Sequence, residues 1–289
     1  MAKNYFKYFW IAVFLLVLAN VYLWQFLWGL DGKLKVTFFD IGQGDSIFIE
    51  TSQGQQILID GGPGERVLDK LAKAMPFWDR SLDLVVLSHP EYDHLSGLNA
   101  VLKNYKVQNI LWSGIEKDSQ VFKDWQKAVA EEKAKVIIGQ RGQEIKAGAT
   151  LFEVLSPLEN LAGQFFEKDS NDTAVAVKVI FGKNSFLFSG DISQILEKKL
   201  VVLDDGCINE CLAADVLKVA HHGSKTSSSA EFLQAAIPQI AVISVGKNNT
   251  YGHPTQEVLN RLQEFGIRVM RTDELGDIKM KSDGVEVVF

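Results

Sequence analysis

Two histidines, a glutamate and an aspartate lie within six positions of the segment LSHPEYDHLSG, directly after the apolar run DLVVL. These residues are His89, Glu91, Asp93 and His94. Imidazole nitrogens and carboxylate oxygens are the ligands that divalent transition metals take in proteins. The segment therefore predicts either one wall of a metal site or, taken alone, an ordinary acidic turn at the end of a strand.

Histidine is rare in this chain, and all five residues fall in three short polar motifs at predicted strand ends. Beyond the first pair, they are His221 and His222 in VAHHGSK and His253 in TYGHPT. A fourth strand end, FLFSGD, supplies Asp191 at the same kind of position. This clustering favours convergence of the four motifs on one site.

The elements that must position these motifs are short strands and amphipathic helices. The segments LKVTFFDI, DSIFIET and QQILIDGG predict three strands joined by glycine-containing turns. TAVAVKVIFGKNSFLFSGD predicts a hairpin that turns at residues 182–184. GERVLDKLAKAM and DSQVFKDWQKAVAEEKAK carry apolar residues at helical spacing. Antiparallel hairpins mixed with strand–helix units predict an α+β sandwich with helices outside two sheets.

The composition of the 289 residues, 47% hydrophobic and 23% charged, is that of a globular protein. A net charge of −6 argues against a chain that coats nucleic acid by bulk charge alone. A locally positive site stays compatible with this charge, because bound divalent metals reverse the sign of an acidic pocket.

An apolar run covers residues 8–30 and is interrupted only by Asn20 and Gln25. That length suits a helix that crosses a bilayer. The alternative is a cleaved signal peptide, but the run continues past the weak cleavage-like tripeptide VLA, which favours an uncleaved anchor. Because Lys3 and Lys7 precede the run, the positive-inside rule places the N-terminus in the cytoplasm.

The predicted organisation is a membrane anchor over residues 1–30 and one extracytoplasmic domain over residues 33–289, in a single-pass protein of the cytoplasmic membrane. The two cysteines, Cys207 and Cys211, are four positions apart. A small loop disulfide suits an extracytoplasmic domain. Two free thiols on a short helical turn are the alternative.

The motifs, taken together, resemble the metallo-β-lactamase superfamily and, more narrowly, the soluble domain of the ComEC competence proteins, which take part in DNA uptake. The resemblance runs in order through FFDIGQGDSIFIET, ILIDGG, LSHPEYDHLSGL, FLFSGD, DVLKVAHHGSKTSSSAEFL, SVGKNNTYGHPTQEVLNRL and RTDELG. It covers nearly everything after the apolar run. It implies a four-layer αββα sandwich with two divalent metal ions at the sheet edges.

The resemblance also implies ligands for the two metal ions. The first ion would be held by His89 and Glu91, the second by Asp93, His94 and His253, and Asp191 would bridge the two. Two departures from the family pattern bear on the first ion. Glu91 stands where a histidine is usual, and no histidine lies between His94 and His221. An oxygen-rich site shifts the expected ion from Zn²⁺ toward Mn²⁺ or Mg²⁺.

The remaining motif residues have catalytic or supporting roles by the same resemblance. A water or hydroxide between the ions would attack, oriented by Asp93. His221 or His222 would act as an acid or stabilise charge at the leaving group. Ser224 and Lys225 would contact phosphate, with Lys225 in the catalytic set.

Three aspartates and one loop complete the candidate site. Asp40, Asp45 and Asp60 are predicted to hold the ligand histidines by hydrogen bonds, although an aspartate next to a glycine is also a common turn former. Asn249 and Tyr251 are predicted to line a substrate groove, and an exposed loop is the equal alternative.

These features indicate a membrane-anchored, metal-dependent phosphodiesterase, a ComEC-like DNase acting on DNA outside the cytoplasm during uptake or scavenging. Lys218, Lys225 and Lys247 supply local positive charge for a phosphate backbone. Since one spanning segment cannot form a DNA pore, uptake would require a DNA-uptake channel protein as partner. The alternatives are a hydrolase of a lactone, a lactam or an envelope phosphodiester, and a non-catalytic DNA-binding module.

Overall fold

The structure is a computed structural model that describes residues 2–29, 31–167, 170–204 and 211–289. The α-helices of these residues are α1 Ala2–Gly29, α2 Arg66–Ala74, α3 Tyr92–Asn104, α4 Gln120–Glu132, α5 Gln194–Asp204, α6 Ala230–Ala236, α7 Gln256–Glu264 and α8 Thr272–Leu275. The strands are β1 Leu34–Phe38, β2 Ile47–Glu50, β3 Gln56–Ile59, β4 Ser81–Val86, β5 Lys106–Trp112, β6 Lys135–Ile138, β7 Glu144–Ala147, β8 Thr150–Val154, β9 Val177–Phe181, β10 Asn184–Phe188, β11 Val216–Lys218, β12 Ile240–Ile243, β13 Arg268–Arg271, β14 Ile278–Ser282 and β15 Val287–Val288.

The strands form two sheets. The first has eight strands in the order β15-β14-β1-β2-β3-β4-β5-β6, and the second has seven in the order β13-β12-β11-β10-β9-β8-β7. The three strands predicted near the start of the domain are β1, β2 and β3, and they pair antiparallel as a meander. The predicted hairpin is β9 and β10, with Phe181 opposite Asn184. Both predictions are confirmed.

Four layers enclose three apolar cores. The core between the sheets contains residues such as Phe38, Phe152 and Phe186. A second core packs α2, α3 and α4 on the outside of the first sheet, with Trp125 at its centre. A third core packs α5, α6 and α7 on the second sheet, with Phe232 among its buried residues. Inner strands such as β3 and β12 are buried along their whole length, as expected of a sheet covered by helices on one side and a sheet on the other. The αββα sandwich predicted from the sequence is confirmed.

Parallel pairing decides where the polar motifs lie. Strands β3, β4 and β5 run parallel in the first sheet, and β10, β11 and β12 run parallel in the second. Ligand sites in such sheets form beyond the carboxyl ends of parallel strands. The segments that carry the histidines and Asp191 follow β4, β10, β11 and β12.

The N-terminal prediction is corrected by the structure. Among the described residues, no helix is both long enough and apolar enough to cross a membrane, so the prediction of a single-pass protein of the cytoplasmic membrane with an extracytoplasmic domain is wrong. Crossing the hydrocarbon core takes about 20 apolar residues in a row. The anchor over residues 1–30 and a membrane partnership therefore have no support, and neither does a channel partner.

The described residues also bear on the two cysteines. Cys211 is disulfide-bonded, and none of the described cysteines is free. Cys207 lies outside the described residues. A loop disulfide between Cys207 and Cys211 therefore stays a prediction.

Candidate metal centre

Three buried imidazoles converge on one carboxylate at the carboxyl ends of the strands. His89 follows β4, His94 lies in the first turn of α3, His222 follows β11, and all three are buried. Their Nε2 atoms lie 4.0, 3.4 and 3.5 Å from Oδ2 of Asp191. None of the three Nε2 atoms has a hydrogen-bond partner. Buried polar atoms are rarely left unpaired in native proteins, so three such atoms aimed at one point indicate a site for a ligand.

The opposite nitrogen of each ring is fixed by a hydrogen bond. Nδ1 of His94 donates to Oδ2 of Asp60 over 2.9 Å, and Nδ1 of His222 donates to the carbonyl oxygen of Ser244 over 2.9 Å. Nδ1 of His89 lies 3.0 Å from Oγ of Ser88, which itself donates to Asp60 over 2.6 Å. Since these bonds place the proton on Nδ1, the Nε2 lone pairs of neutral rings face the centre. Metal-ligating histidines have this arrangement.

Asp93 closes the group on its outer side. Its Oδ2 lies 3.3 Å from Nε2 of His222, and its Oδ1 lies 4.0 Å from Nε2 of His94. Ligand atoms about 2.0–2.1 Å from a tetrahedral ion are about 3.3–3.4 Å apart, close to these separations and to those from Asp191. The residues therefore fit a divalent metal ion. We call His89, His94, His222, Asp93 and Asp191 the central cluster.

A buried ion pair supports the cluster from beneath. Lys218 makes a salt bridge with Asp45, lies 3.4 Å from Oδ1 of Asp191 and donates to the carbonyl oxygen of Gly190 over 3.1 Å. Asp45 in turn lies 3.8 Å from Nδ1 of His94 and 3.7 Å from Nδ1 of His222. Lys218 thus orients Asp191 and neutralises part of its charge.

The electrostatics of the cluster favour a cation at its centre. Burial lowers the pKa of His94, but Asp191, Asp93 and Asp60 outweigh it and hold that pKa well above its usual value. Burial likewise raises the pKa of Asp191, yet His222, His94 and Lys218 hold it well below its usual range. His89 differs, because burial and the neighbouring His94 both lower its pKa. Protons and metal ions compete for such nitrogens.

His222 lies inside the cluster, whereas His253 lies outside it. Among the described residues, the groups able to hold a metal ion include His222 with Asp93 and His94, and none includes His253. The ring of His253 instead lies 5.8 Å from that of His221 and stacks on Tyr251 at 6.1 Å. The sequence motifs did not show that His222, rather than His253, lies among the candidate ligands. His221 and His222 adopt left-handed backbone conformations, with φ of 50° and 53°, that direct the two adjacent rings apart.

Glu91 also lies outside the groups of described residues able to hold a metal ion. Its carboxylate makes a salt bridge with Lys117 and accepts a hydrogen bond from Oγ of Ser170 over 2.6 Å. The assignments of Glu91 and His253 as metal ligands stay predictions. Neither residue belongs to a group of described residues whose ligand atoms lie close enough together to hold a metal ion.

The three predicted supporting aspartates separate in the structure. Asp45 and Asp60 are buried and contact ligand histidines. Asp40 instead accepts a hydrogen bond from the backbone N–H of Gly42 over 3.3 Å, which is the turn role that the sequence left open.

The predicted phosphate and groove residues follow His222 and precede His253 in the chain. Oγ of Ser224 is 2.9 Å from Oγ1 of Thr226, and Lys225 is exposed. Asn249 donates to the carbonyl oxygen of His253 over 2.7 Å and so closes its own loop. Tyr251 is 69% exposed and offers a free aromatic face beside His253.

Sequence reasoning missed several residues of this site. It counted Lys218 only as local positive charge, and it did not name Ser88, Lys117 or Ser170. A lysine inside a buried strand is a usable signal, because buried lysines require a carboxylate partner. The serines carried no signal of their own.

Comparison with known proteins agrees with this architecture. A family model described as the metallo-beta-lactamase superfamily matches residues 39–247. ComE operon protein 3 of Bacillus subtilis (strain 168) is 32% identical over 273 residues, which is 87% of this chain and 33% of that protein. Competence protein ComA of Neisseria gonorrhoeae is 32% identical over 249 residues, which is 86% of this chain and 32% of that protein.

The chain spans about a third of the length of these two curated relatives. Among solved structures, the metallo-beta-lactamase fold protein YhfI from Bacillus subtilis superposes with a TM-score of 0.56 at 16% identity, covering 86% of this chain and 100% of that one. That likeness bears on the fold. The resemblance predicted from the motifs, to the superfamily and to its competence members, is confirmed.

Proposed function

The chain belongs to the metallo-β-lactamase superfamily, and from this premise we propose that it is a metal-dependent phosphodiesterase that hydrolyses DNA. The observation that carries the metal dependence is the convergence of three unpaired, buried Nε2 atoms on Asp191. The competence names of relatives that share 32% identity support DNA as the substrate. Exposed Lys225 and the aromatic face of Tyr251 suit a phosphate backbone and a base beside the centre.

The mechanism assigns a task to each part of the site. A divalent ion held by the central cluster would polarise a phosphoryl oxygen and lower the pKa of a water molecule. Asp93 is the cluster residue with a substantial exposed fraction, 32% of its side chain, so it meets water and substrate first. Its pKa is held well below its usual range by His94 and His222 against the effect of burial, so it is a carboxylate that accepts a hydrogen bond from the attacking water.

His221 lies at the outer side of the cluster, next to His253. Burial lowers the pKa of His221, so its ring is neutral at pH 7. A neutral ring donates a hydrogen bond to a phosphate oxygen more readily than it donates a proton. We therefore assign His221 to charge stabilisation at the phosphate.

Asp93→Asn tests this function. Removing the carboxylate charge while keeping the shape should lower the rate of DNA and bis(p-nitrophenyl) phosphate hydrolysis in Mn²⁺ by about 10²–10⁴-fold. The measurement is a time course with single-stranded DNA, double-stranded DNA and the small ester, repeated with Mn²⁺, Mg²⁺ and Zn²⁺. Asp118→Asn is the matched control, because that side chain is 71% exposed and pairs with Lys123.

Three results would contradict parts of the proposal. Hydrolysis of a lactone or β-lactam without any phosphodiester cleavage would remove the substrate assignment. DNA binding that needs no metal and leads to no cleavage would identify a binding module. Full activity after exhaustive chelation would remove the metal dependence.

A further inference from the structure

We propose that the ammonium of Lys117 takes the place of a second metal ion, so that this centre holds one divalent ion. The proposal rests on the metal dependence proposed above but not on the substrate. It concerns the number of ions, which the superfamily resemblance set at two.

Glu91, Lys117 and Ser170 contact one another. Lys117 forms a salt bridge with Oε1 of Glu91 and donates to Oγ of Ser170 over 3.2 Å. Oγ of Ser170 donates to the same Oε1 over 2.6 Å. The Lys117 side chain is only 9% exposed and Ser170 is fully buried. Three segments, before α3, after β5 and before β9, thus meet at a cation that belongs to the protein.

The ammonium of Lys117 lies at a carboxylate that was predicted to be a metal ligand. Glu91 lies two residues after His89 and two before Asp93, where the family pattern expects a ligand of the first ion. A compact ammonium satisfies a carboxylate through charge and hydrogen bonds, as a metal ion would. A divalent ion on the same oxygen would meet the positive charge of Lys117 at short range.

The ligand inventory leads to the same count. With Glu91 bound to Lys117, the first ion would keep His89 and the shared Asp191, because His94, the third member of their group, also belongs to the group of Asp93 and His222. Metal sites in proteins generally have at least three protein ligands. The other side of the cluster has four candidate ligands, which are His94, His222, Asp93 and Asp191. The Nε2 atoms of the two histidines lie 3.3–4.0 Å from the Oδ atoms of the two aspartates.

The test is metal stoichiometry, which needs no enzyme assay. The chelated full chain is equilibrated with Mn²⁺ or Zn²⁺, and bound ions are counted by elemental analysis and native mass spectrometry. The wild type should bind one ion per chain. Lys117→Met should bind two, because Glu91 becomes available to join His89 and Asp191. Lys117→Arg, which keeps the positive charge, should stay at one.

Two further variants keep the result interpretable. Glu91→Gln should still bind one ion with affinity changed less than about threefold, since Glu91 is not a ligand in the wild type; this variant decides the matter if Lys117→Met does not fold. Lys123→Met is the control, because its 58% exposed side chain pairs with Asp118.

Each remaining outcome counts against a specific statement. Two ions in the wild type, or loss of the single ion in Glu91→Gln, would overturn the inference. One ion in both the wild type and Lys117→Met would show that Lys117 is a structural salt bridge only. No ion in the wild type would refute the metal dependence itself, and with it the function proposed above.

Discussion

Lys218 is a buried lysine whose ammonium lies between the carboxylates of Asp45 and Asp191. Burial lowers the pKa of Lys218, but these carboxylates outweigh it and hold the pKa above its usual value of 10.5. Because the folded-state pKa is raised, the stabilisation is present at every pH below that value. It is lost only as the pH rises through the raised pKa.

We expect Lys218→Met to lower the free energy of unfolding of the metal-free protein by about 3–5 kcal/mol, because it leaves two carboxylates buried without their cation. Urea unfolding at pH 7 measures the difference. Lys35→Met is the matched control. The Lys35–Glu50 pair is partly exposed, at 28% and 23%, so its loss should cost about 0–1 kcal/mol. Equal losses in the two variants would show that the buried pair has no special weight.

Residue types and strand-end positions predicted that the histidine motifs and Asp191 converge on one site, whereas their roles as ligands came from the family resemblance. His89, Asp93, His94 and Asp191 were recognisable because polar residues at strand ends have few structural reasons to cluster. The sequence could not show whether His222 or His253 lies in the central cluster, since this depends on backbone angles at residues 221–222. The pairing of Glu91 with Lys117 joins segments 26 positions apart, and no local pattern records such a contact.

At the scale of elements, Glu197 connects α5 to the start of α6. Its carboxylate accepts hydrogen bonds from the backbone N–H groups of Ser228 and Ser229 over 2.5 and 2.8 Å. Ser229 is the N-cap of α6. This helix comes directly after the segment that carries His222. Burial raises the pKa of Glu197, although these bonds and Arg261 act in the opposite direction.

This raised pKa predicts the sign of a pH effect. The folded state binds the proton of Glu197 more tightly than the unfolded state does. Its contribution is therefore full below the unfolded value of about 4.5 and is lost as the pH rises through the raised pKa. We expect the free energy of unfolding of the wild type to fall across that window relative to Glu197→Gln. The size is about 1.4 kcal/mol for each pH unit by which the pKa is raised.

Urea unfolding at a series of pH values from 4 to 8 measures the difference between the two proteins. Glu264→Gln, at an exposed position near the end of α7, is the control and should follow the wild type. A wild type that gains stability over Glu197→Gln as the pH rises would contradict the assignment, because the carboxylate would then be favoured by folding.

Elements with a local signal were predictable, and those with a distant partner were not. The alternation in β1 to β3 and the glycine turn between β9 and β10 are encoded within a few residues. The return of β14 to pair with β1 joins residues such as Val36 and Met280, which are far apart in sequence. The membrane prediction was wrong, because no helix among the described residues is both long enough and apolar enough to cross a membrane.

At the scale of the whole molecule, the site depends on both sheets. The first sheet supplies His89 and the segment leading to His94, and the second supplies Asp191 and His222. Neither sheet alone holds a complete set of ligands. The metal centre should therefore form only when the four-layer sandwich is assembled, and metal binding should stabilise the assembled domain.

This dependence predicts which parts of the chain the centre needs. The hydrogen bonds and ring contacts described for residues 6–20 of α1 stay within that helix. A chain of residues 33–289 should therefore fold by itself, with the same metal content as the full chain and a Tm within about 2 °C, a difference of about 1 kcal/mol or less for a domain of this size. Calorimetry and elemental analysis of both chains provide the comparison.

A shorter chain starting at residue 39 is the decisive control, because it removes β1. That strand lies inside the first sheet and pairs with β14 on one side and β2 on the other. Its loss exposes two unpaired strand edges and removes Leu34, Val36 and Phe38 from the core between the sheets. We expect this chain to lose cooperative unfolding and metal binding together. If residues 33–289 also failed to fold, the domain boundary predicted at residue 33 would be misplaced.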